Sequence, residues 1–420
     1  MGYITAEEKR KTVGEQLLPF VESFLLLITV YKLSGIPTLV MQGIRCSAIA
    51  LLLILNFQTF VRVPSRRMAL FSAFSIAIPL CTIAAGGNLE NVLYAFVQGL
   101  NIIVLFISVN GMNRRMGIFG ALDVLFWSLL VLSFANDLSV FTSSSNVSTT
   151  TYLIGNKFST GDIHILLTGI YAALLAYKHG YVRYNWGIFW ALVVESSAVL
   201  IKASAMTSLL SYLLATAVVV FLPKKACRVL TRGPVVVGTI LIINAIYFGT
   251  GMLLNVPWVQ YFIQGVLGRS LTMTGRTPIY NVLGIIIGEK PLFGWGYGNS
   301  IVRQVVGWGN AQNGLAEIVV NYGIVGAIAF FISIMGALDE CGQAHCRYTL
   351  PMIGIVYGII LASLVEISFG LSFFLSLSII TSALFEKKNT AKYERTPAFK
   401  EEVDDGLTKE AIAFDSHTRF

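Results

Sequence analysis

Basic side chains in a mostly apolar chain are the first residues that could do chemistry. The segment 253–312 is poor in acids and carries four basic residues, which are Arg269, Arg276, Lys290 and Arg303. Guanidinium groups offer several fixed hydrogen-bond donors and stay charged, which suits them to phosphate. Arg45 lies at or within the outer end of the second predicted membrane helix, where a charge is costly and usually functional. The sequence therefore predicts a phosphate site with the candidate ligands Arg45, Lys202, Arg276 and Arg303.

Carboxylates inside predicted membrane helices could transfer a proton. Five acids lie in such helices, and they are Glu22, Asp123, Glu195, Glu317 and Glu366. Intramembrane acids of this kind are candidates for proton relays. Glu317 is the most interesting, because it lies about one helical turn after the adjacent amides Gln312 and Asn313. Glu289 and the Asp162/His164 pair are further candidates for a general base.

Several familiar kinds of catalytic site are not indicated by the residue pattern. No external loop carries the Asp-x-Asp pair of a metal-dependent nucleotide-sugar enzyme, and no G-x-S-x-G motif accompanies His164. Cys341, His345 and Cys346 do not match a common zinc-site spacing, and the five cysteines predict no structural disulfide. We therefore expect chemistry without a bound metal or other cofactor.

The elements that must position these residues are membrane helices. The chain is 55% hydrophobic and only 12% charged, whereas a soluble domain has about 25% charged residues. Long apolar runs of this kind predict an all-α polytopic membrane protein. We expect about twelve transmembrane helices, centred on 16–31, 46–61, 68–86, 91–109, 117–135, 161–177, 185–201, 204–222, 234–252, 313–336, 350–367 and 369–385.

The distribution of charge predicts the orientation. Most of the 30 lysine and arginine residues fall in alternate loops together with both ends of the chain, and such loops are cytoplasmic as a rule. Residues 1–385 then form one membrane domain with cytoplasmic termini, and 386–420 form a polar tail that we expect to be disordered. The longest break between helices, about 253–312, joins helices 9 and 10 on the external side. Its aromatic residues suit the outer membrane surface.

A glycine-rich corner interrupts this external segment. Gly294, Gly296 and Gly298 follow Pro291, and closely spaced glycines after a proline predict a tight turn. As a phosphate-binding motif the run is weak, since it lacks the Gly-Lys-Ser/Thr ending of a P-loop.

The same region carries a resemblance to a known family. The stretches GRTPIYNVLGIIIGEKPLFGWGYGNS (275–300) and AQNGLAEIVVNYGIVGAIAFF (311–331) resemble the signature region of the O-antigen ligase / Wzy-type polysaccharide polymerase superfamily. The matching residues are Gly275, Arg276, Glu289, Pro291, Leu292, Gly294, Gly296, Asn313, Gly323 and Gly326. Two family positions differ, because Gln312 stands where the family commonly has histidine and Met206 stands near a family arginine.

The resemblance implies a membrane glycosyltransferase of the bacterial inner membrane. Such proteins transfer a glycan from undecaprenyl diphosphate to an acceptor sugar at the periplasmic face. The implied catalytic residues are Arg276, Gln312, Glu317 and Glu289, and the implied sugar-binding residues are Asn313, Trp295 and Tyr297. The basic set Arg45, Lys202, Arg276 and Arg303 would bind the diphosphate. Implied partners are the undecaprenyl-diphosphate-linked glycan, membrane lipids, and chain-length regulator and export proteins, with no nucleic acid.

Three other functions remain open at this stage. An O-antigen ligase would transfer the glycan to lipid A core, but the substituted positions at Gln312 and Met206 favour a divergent polymerase. A transporter or flippase also fits twelve helices with both ends inside, although its large break is usually central and cytoplasmic. The third is a non-catalytic membrane scaffold.

Overall fold

The structure, a computed structural model, describes residues 13–62, 65–143, 151–177, 185–253, 261, 277–338 and 349–393. In this part of the chain every extended regular element is an α-helix, apart from an isolated bridge between Tyr152 and Gly155. The predicted all-α class is therefore confirmed for these residues. Arg276 lies outside them, as does the Cys341–Cys346 segment.

Sixteen helices are present in the described part. They are α1 (Val13–Val30), α2 (Thr38–Leu55), α3 (Phe57–Arg62), α4 (Ser65–Phe71), α5 (Ala73–Ala84), α6 (Leu89–Thr142), α7 (Lys157–Tyr177), α8 (Trp186–Lys202), α9 (Met206–Phe221), α10 (Lys224–Leu230), α11 (Gly233–Leu253), α12 (Thr277–Glu289), α13 (Ile301–Val306), α14 (Gly314–Leu338), α15 (Thr349–Ala362) and α16 (Leu371–Tyr393).

Four of these helices are long and apolar enough to cross a membrane by themselves, and they are α2, α6, α7 and α14. Shorter apolar stretches lie in α1, α5, α9, α11, α12, α15 and α16. This pattern is that of a membrane-embedded helical protein. The count of twelve spans and the orientation of the termini stay predictions.

The long helix α6 is two helices joined at a kink. Gly117 has φ 73° and ψ 165°, which no helical residue adopts. The break falls at the first residue of the predicted span 117–135, so the expected division into two spans coincides with it. Glycine permits it because its missing Cβ opens the left-handed half of the φ/ψ map.

The helices pack into a core rich in aromatic side chains. The helices α5, α14 and α16 all lie against α6 or against one another, and rings from four elements meet there, namely Phe71, Phe74, Phe330, Phe373 and Phe374. Within a bilayer such packing stabilises by van der Waals contact, since lipid is as apolar as the core. Gly99 lets α6 approach α5 closely, because a Cβ there would lie 2.2 Å from the Ser75 carbonyl oxygen.

A buried polar contact joins α1, the residue after α2 and α6. Glu22 on α1 is fully buried and accepts hydrogen bonds from Asn56 Nδ2, at 2.6 Å, and from the Arg115 guanidinium. Arg115 Nη1 also donates to Asn56 Oδ1 at 3.0 Å. Glu22 therefore joins α1 to α6 close to the Gly117 kink. This acid of a predicted membrane helix thus has a structural role.

One predicted boundary differs from the structure, and one predicted break between helices is partly helical. The helix α16 continues to Tyr393, beyond the expected end at residue 385, while 394–420 lie outside the described residues. The described part of 253–312, from residue 277 onward, is largely ordered into α12, α13 and the turn between them.

Candidate functional site

The corner, residues 289–298, inserts into a break in α14. Gly323 within that helix has φ 63° and ψ −164°, which interrupts its hydrogen-bond ladder. The main chain of the corner replaces the missing partners: the N–H groups of Trp295 and Gly296 donate to the carbonyls of Val320 and Asn321, at 2.9 and 2.8 Å. Buried main-chain polar groups must find such partners inside a membrane protein.

The pairing is reciprocal. The N–H of Ile324 donates to the Pro291 carbonyl at 2.9 Å, and the N–H of Val325 donates to the Leu292 carbonyl at 3.1 Å. Two main-chain hydrogen bonds before the Gly323 break and two after it thus hold the corner. The corner is a built-in part of the helix bundle.

Glycine is required at both touching points. A Cβ on Gly323 would lie 2.3 Å from the Leu292 carbonyl, and a Cβ on Gly294 would lie 2.6 Å from the Tyr322 nitrogen. Both residues also have positive φ, at 63° and 66°. The two glycines that carry part of the family resemblance therefore face each other across one contact.

Side chains of the corner secure it further. Trp295 Nε1 donates to the Ile286 carbonyl at 3.0 Å, and the Lys290 ammonium lies 4.6 Å from the centre of the Trp295 ring. Lys290 Nζ also donates to the Ala85 carbonyl, at 3.1 Å, at the end of α5, where a positive charge is favourable. The indole of Trp295 is thus already engaged at its N–H and by one cation.

A chain of polar side chains links the corner to the start of α14. Glu317 Oε2 accepts from the Ala311 N–H at 2.8 Å, and its Oε1 accepts from Asn321 Nδ2 at 3.0 Å. Asn321 Oδ1 in turn accepts from Asn299 Nδ2 at 2.6 Å, and the same amide donates to the Gly296 carbonyl at 2.6 Å. Glu317 therefore sets the position of the segment before Gln312 relative to the corner.

Gln312 is held in an unusual main-chain conformation. Its φ of 51° is in the left-handed region, which a residue other than glycine adopts at a cost of about 1–3 kcal/mol. Its N–H and its Nε2 both donate to Asn310 Oδ1, at 2.9 and 2.7 Å, and Tyr280 donates to its carbonyl at 3.0 Å. These bonds leave Oε1 without a partner among the described residues, so it can accept from a ligand.

Asn313 has a different environment. It is fully buried, and its Nδ2 donates to Asn244 Oδ1 at 2.8 Å and to the Leu364 carbonyl at 3.0 Å. Its Oδ1 accepts from the Ala316 N–H at 2.8 Å, which is the bonding of a helix N-cap. The amide expected to bind sugar is thus engaged by the protein itself.

The charge of Arg45 on α2 acts on Tyr297 of the corner. Arg45 Nε is buried without a hydrogen-bond partner among the described residues. Burial raises the pKa of the Tyr297 phenol above its usual value, and the nearby Arg45 charge opposes that rise. The Tyr297 N–H donates to Thr82 Oγ1 at 3.1 Å, which fixes this end of the corner on α5. A guanidinium whose Nε has no partner among the described residues therefore lies near enough to the corner for its charge to act there.

The structure disperses the other predicted site residues. Arg303 is exposed on α13. Lys202 ends α8, a helix packed mainly on α6, α7 and α9. Seven predicted residues lie on the corner or near it: Arg45, Glu289, Trp295, Tyr297, Gln312, Asn313 and Glu317.

No protein-family model matches the chain, and no curated protein matches it.

The expected pairing of Asp162 with His164 is not found. Asp162 accepts from Ser372 Oγ at 3.1 Å, whereas His164 lies against Asp137 and Ser196 on other helices. The reason is geometric, because residues two apart on a helix point to different faces.

Sequence reasoning missed the amides that connect the site. Asn321 follows Glu317 by four residues, the spacing at which helical side chains meet, so that contact could have been found. Asn299 gave no such signal, because its partner lies on another element.

Proposed function

We propose that this protein is a membrane glycosyltransferase that polymerises undecaprenyl-diphosphate-linked glycan repeats at the outer face of the bacterial inner membrane. The observation that carries the proposal is the action of the Arg45 charge on Tyr297 of the corner, together with the bond from Glu317 to the segment before Gln312. This part of the described structure contains a cationic donor without a described partner, an aromatic hydroxyl and an amide acceptor. These groups suit a substrate that combines diphosphate with sugar hydroxyls.

The reaction asks for a proton acceptor and for stabilisation of a leaving diphosphate. The acceptor hydroxyl oxygen bonds to the anomeric carbon of the donor sugar while the bond from that carbon to the diphosphate oxygen breaks. The electron pair of the broken bond leaves on the diphosphate, and the hydroxyl proton passes to a base. Fixed cations directed at the growing charge lower the barrier.

We assign the diphosphate contact first to Arg45, because its Nε has no hydrogen-bond partner in the part of the chain that the structure describes. Arg276, Arg303 and Lys202 remain proposed contributors. Arg303 is exposed, so it could contact a ligand that enters the site. The diphosphate-binding role of Arg276 rests on the family motif alone. Guanidinium groups bind diphosphate without a metal ion.

We assign the acceptor side to Gln312 and Glu317. The Oε1 of Gln312, which has no partner among the described residues, would accept a hydrogen bond from a sugar hydroxyl. Glu317 receives one protein donor on each oxygen, and an ionised carboxylate has further lone pairs, so it can still accept a proton. Glu289 is the alternative base, and Trp295 and Tyr297 would lie beside the sugar rings. Asn313 acts in this scheme by holding the start of α14.

A gene deletion with complementation tests the proposal. Loss of the protein should leave lipid-linked single repeats to accumulate while long polymer disappears. Complementation with Arg45→Ala should restore little polymer, and complementation with Arg228→Ala, which alters an exposed arginine on α10, should restore it fully. Normal polymer in the deletion strain contradicts the proposal. Repeats that accumulate on the cytoplasmic side would instead indicate a flippase.

A further inference from the structure

A second polar cluster lies between α6, α7 and α8, on other helices than the corner. His164 is fully buried, and its Nε2 lies 3.1 Å from Asp137 Oδ1. Its Nδ1 lies 2.9 Å from Ser196 Oγ and 3.9 Å from Glu195 Oε2. One potential ligand atom each from Asp137, His164 and Glu195 lies within 4.8 Å of the others.

The cluster lies at one level of the bundle. Asp137 precedes the end of α6 by five residues, or about 8 Å of helix, and His164 and Glu195 each lie about 10 Å from a helix end on the same side. Three neighbouring helices therefore bring their side chains to a common depth inside the membrane domain.

The cluster brings two carboxylates to one imidazole. Asp137 is almost fully buried and Glu195 is about half exposed. In the described part of the chain, the charged-group contacts of both carboxylates go only to His164. Ionised carboxylates at this depth are costly unless a cation lies beside them. One divalent cation would balance both.

The donor atoms suit a metal of the zinc class. Ligands at about 2.0–2.1 Å from a tetrahedral ion lie about 3.3 Å from one another, close to the observed 3.1 Å between His164 Nε2 and Asp137 Oδ1. Imidazole with carboxylates is a ligand set that zinc accepts. Glu195, half exposed, has the freedom to turn onto the ion.

The surrounding hydroxyl groups also support a metal site. Ser196 lies at the other nitrogen of His164, and Ser133 Oγ donates to Asp137 Oδ2 at 3.3 Å. Metal-binding histidines and carboxylates are usually oriented by such outer hydrogen bonds.

We propose that Asp137, His164 and Glu195 form a binding site for a divalent transition metal, with Zn²⁺ as the representative ion. The ion fastens α6, α7 and α8 together and leaves one coordination position for water. This site does not depend on the proposed glycosyl transfer, because it shares no residue with the corner.

Zinc binding by the purified full-length protein tests the site. The protein in detergent is treated with a chelator, dialysed, and titrated with Zn²⁺ alone, with Co²⁺ absorption as a second readout of ligand type. We expect about one ion per chain. His164→Ala and Asp137→Asn should abolish this binding, and Asp123→Asn, a matched change on α6, should leave it unchanged.

A milder variant protects the test from misfolding. Ser196→Ala keeps all three ligands and should weaken zinc affinity by about tenfold or more through loss of the outer hydrogen bond. The proposal is overturned if the wild-type protein binds no zinc. It is also overturned if a monodisperse His164→Ala protein binds zinc as tightly as the wild type.

Discussion

The main-chain N–H of Trp295 donates to the carbonyl oxygen of Val320, 2.9 Å away. This bond joins the turn after α12 to the interior of α14, at a point where Gly323 has opened that helix. The opening positions the corner, in which Tyr297 is within reach of the Arg45 charge. From α14 itself, Glu317 bonds the segment before Gln312.

Adding a methyl group at the break should disrupt the corner. Gly323→Ala places a Cβ 2.3 Å from the Leu292 carbonyl, at a φ that L-residues avoid, so we expect a loss of several kcal/mol in stability. Gly284→Ala is the matched control, because that helical position has open space around it and should gain slightly. Thermal unfolding in detergent measures both. Equal melting temperatures for the two variants would contradict the described packing.

Substitutions at Gln312 and at Asn313 should have different effects, the first on activity and the second on stability. Gln312→Ala removes an amide whose Oε1 accepts no bond from the described residues, so polymer formation should fall while the melting temperature changes little. Asn313→Ala removes a helix N-cap and two buried hydrogen bonds, which should cost about 2–4 kcal/mol. Melting curves and polymer length, measured on the same variants, check the distinction. The reverse pattern would argue that Asn313 is the ligand-binding amide.

Removing only one partner of the Glu22–Arg115 contact should reduce stability. Arg115→Met leaves Glu22 buried with Asn56 as its remaining partner and should destabilise by about 3 kcal/mol, toward the low end because the Arg115 side chain is 37% exposed. The double variant Glu22→Gln/Arg115→Met should lose less than the sum of the single changes, since no charge stays buried. Strict additivity of the two losses would show that the pair is not coupled.

The sequence was informative where the signal is local. Apolar runs predicted the helices, and closely spaced glycines predicted the turn at 294–298. The helix end at Leu55 was not foreseen, because apolar residues continue beyond it. Asn56 lies there because it bonds Glu22, thirty-four residues away.

Contacts between distant helices explain the rest. Nothing near Asp137 in the chain indicates His164, and nothing near Pro291 indicates the open N–H groups after Gly323. Asn313 was predicted to bind sugar, because it matches the amide of the family motif beside Gln312. Its burial depends on Asn244 and Leu364 from two other elements. Which residues share a site is therefore set by packing that sequence periodicity does not contain.

The most direct test of the proposed activity uses purified protein with the lipid-linked repeat extracted from the deletion strain. Release of undecaprenyl diphosphate and growth of glycans longer than one repeat are followed together. The wild-type and Arg228→Ala proteins should release the diphosphate as glycan grows, and Arg45→Ala should be slower by about tenfold or more, as expected for loss of a charge-assisted hydrogen bond. A wild-type protein that leaves the lipid-linked repeat unconsumed, or an Arg45→Ala protein as fast as wild type, would contradict the account.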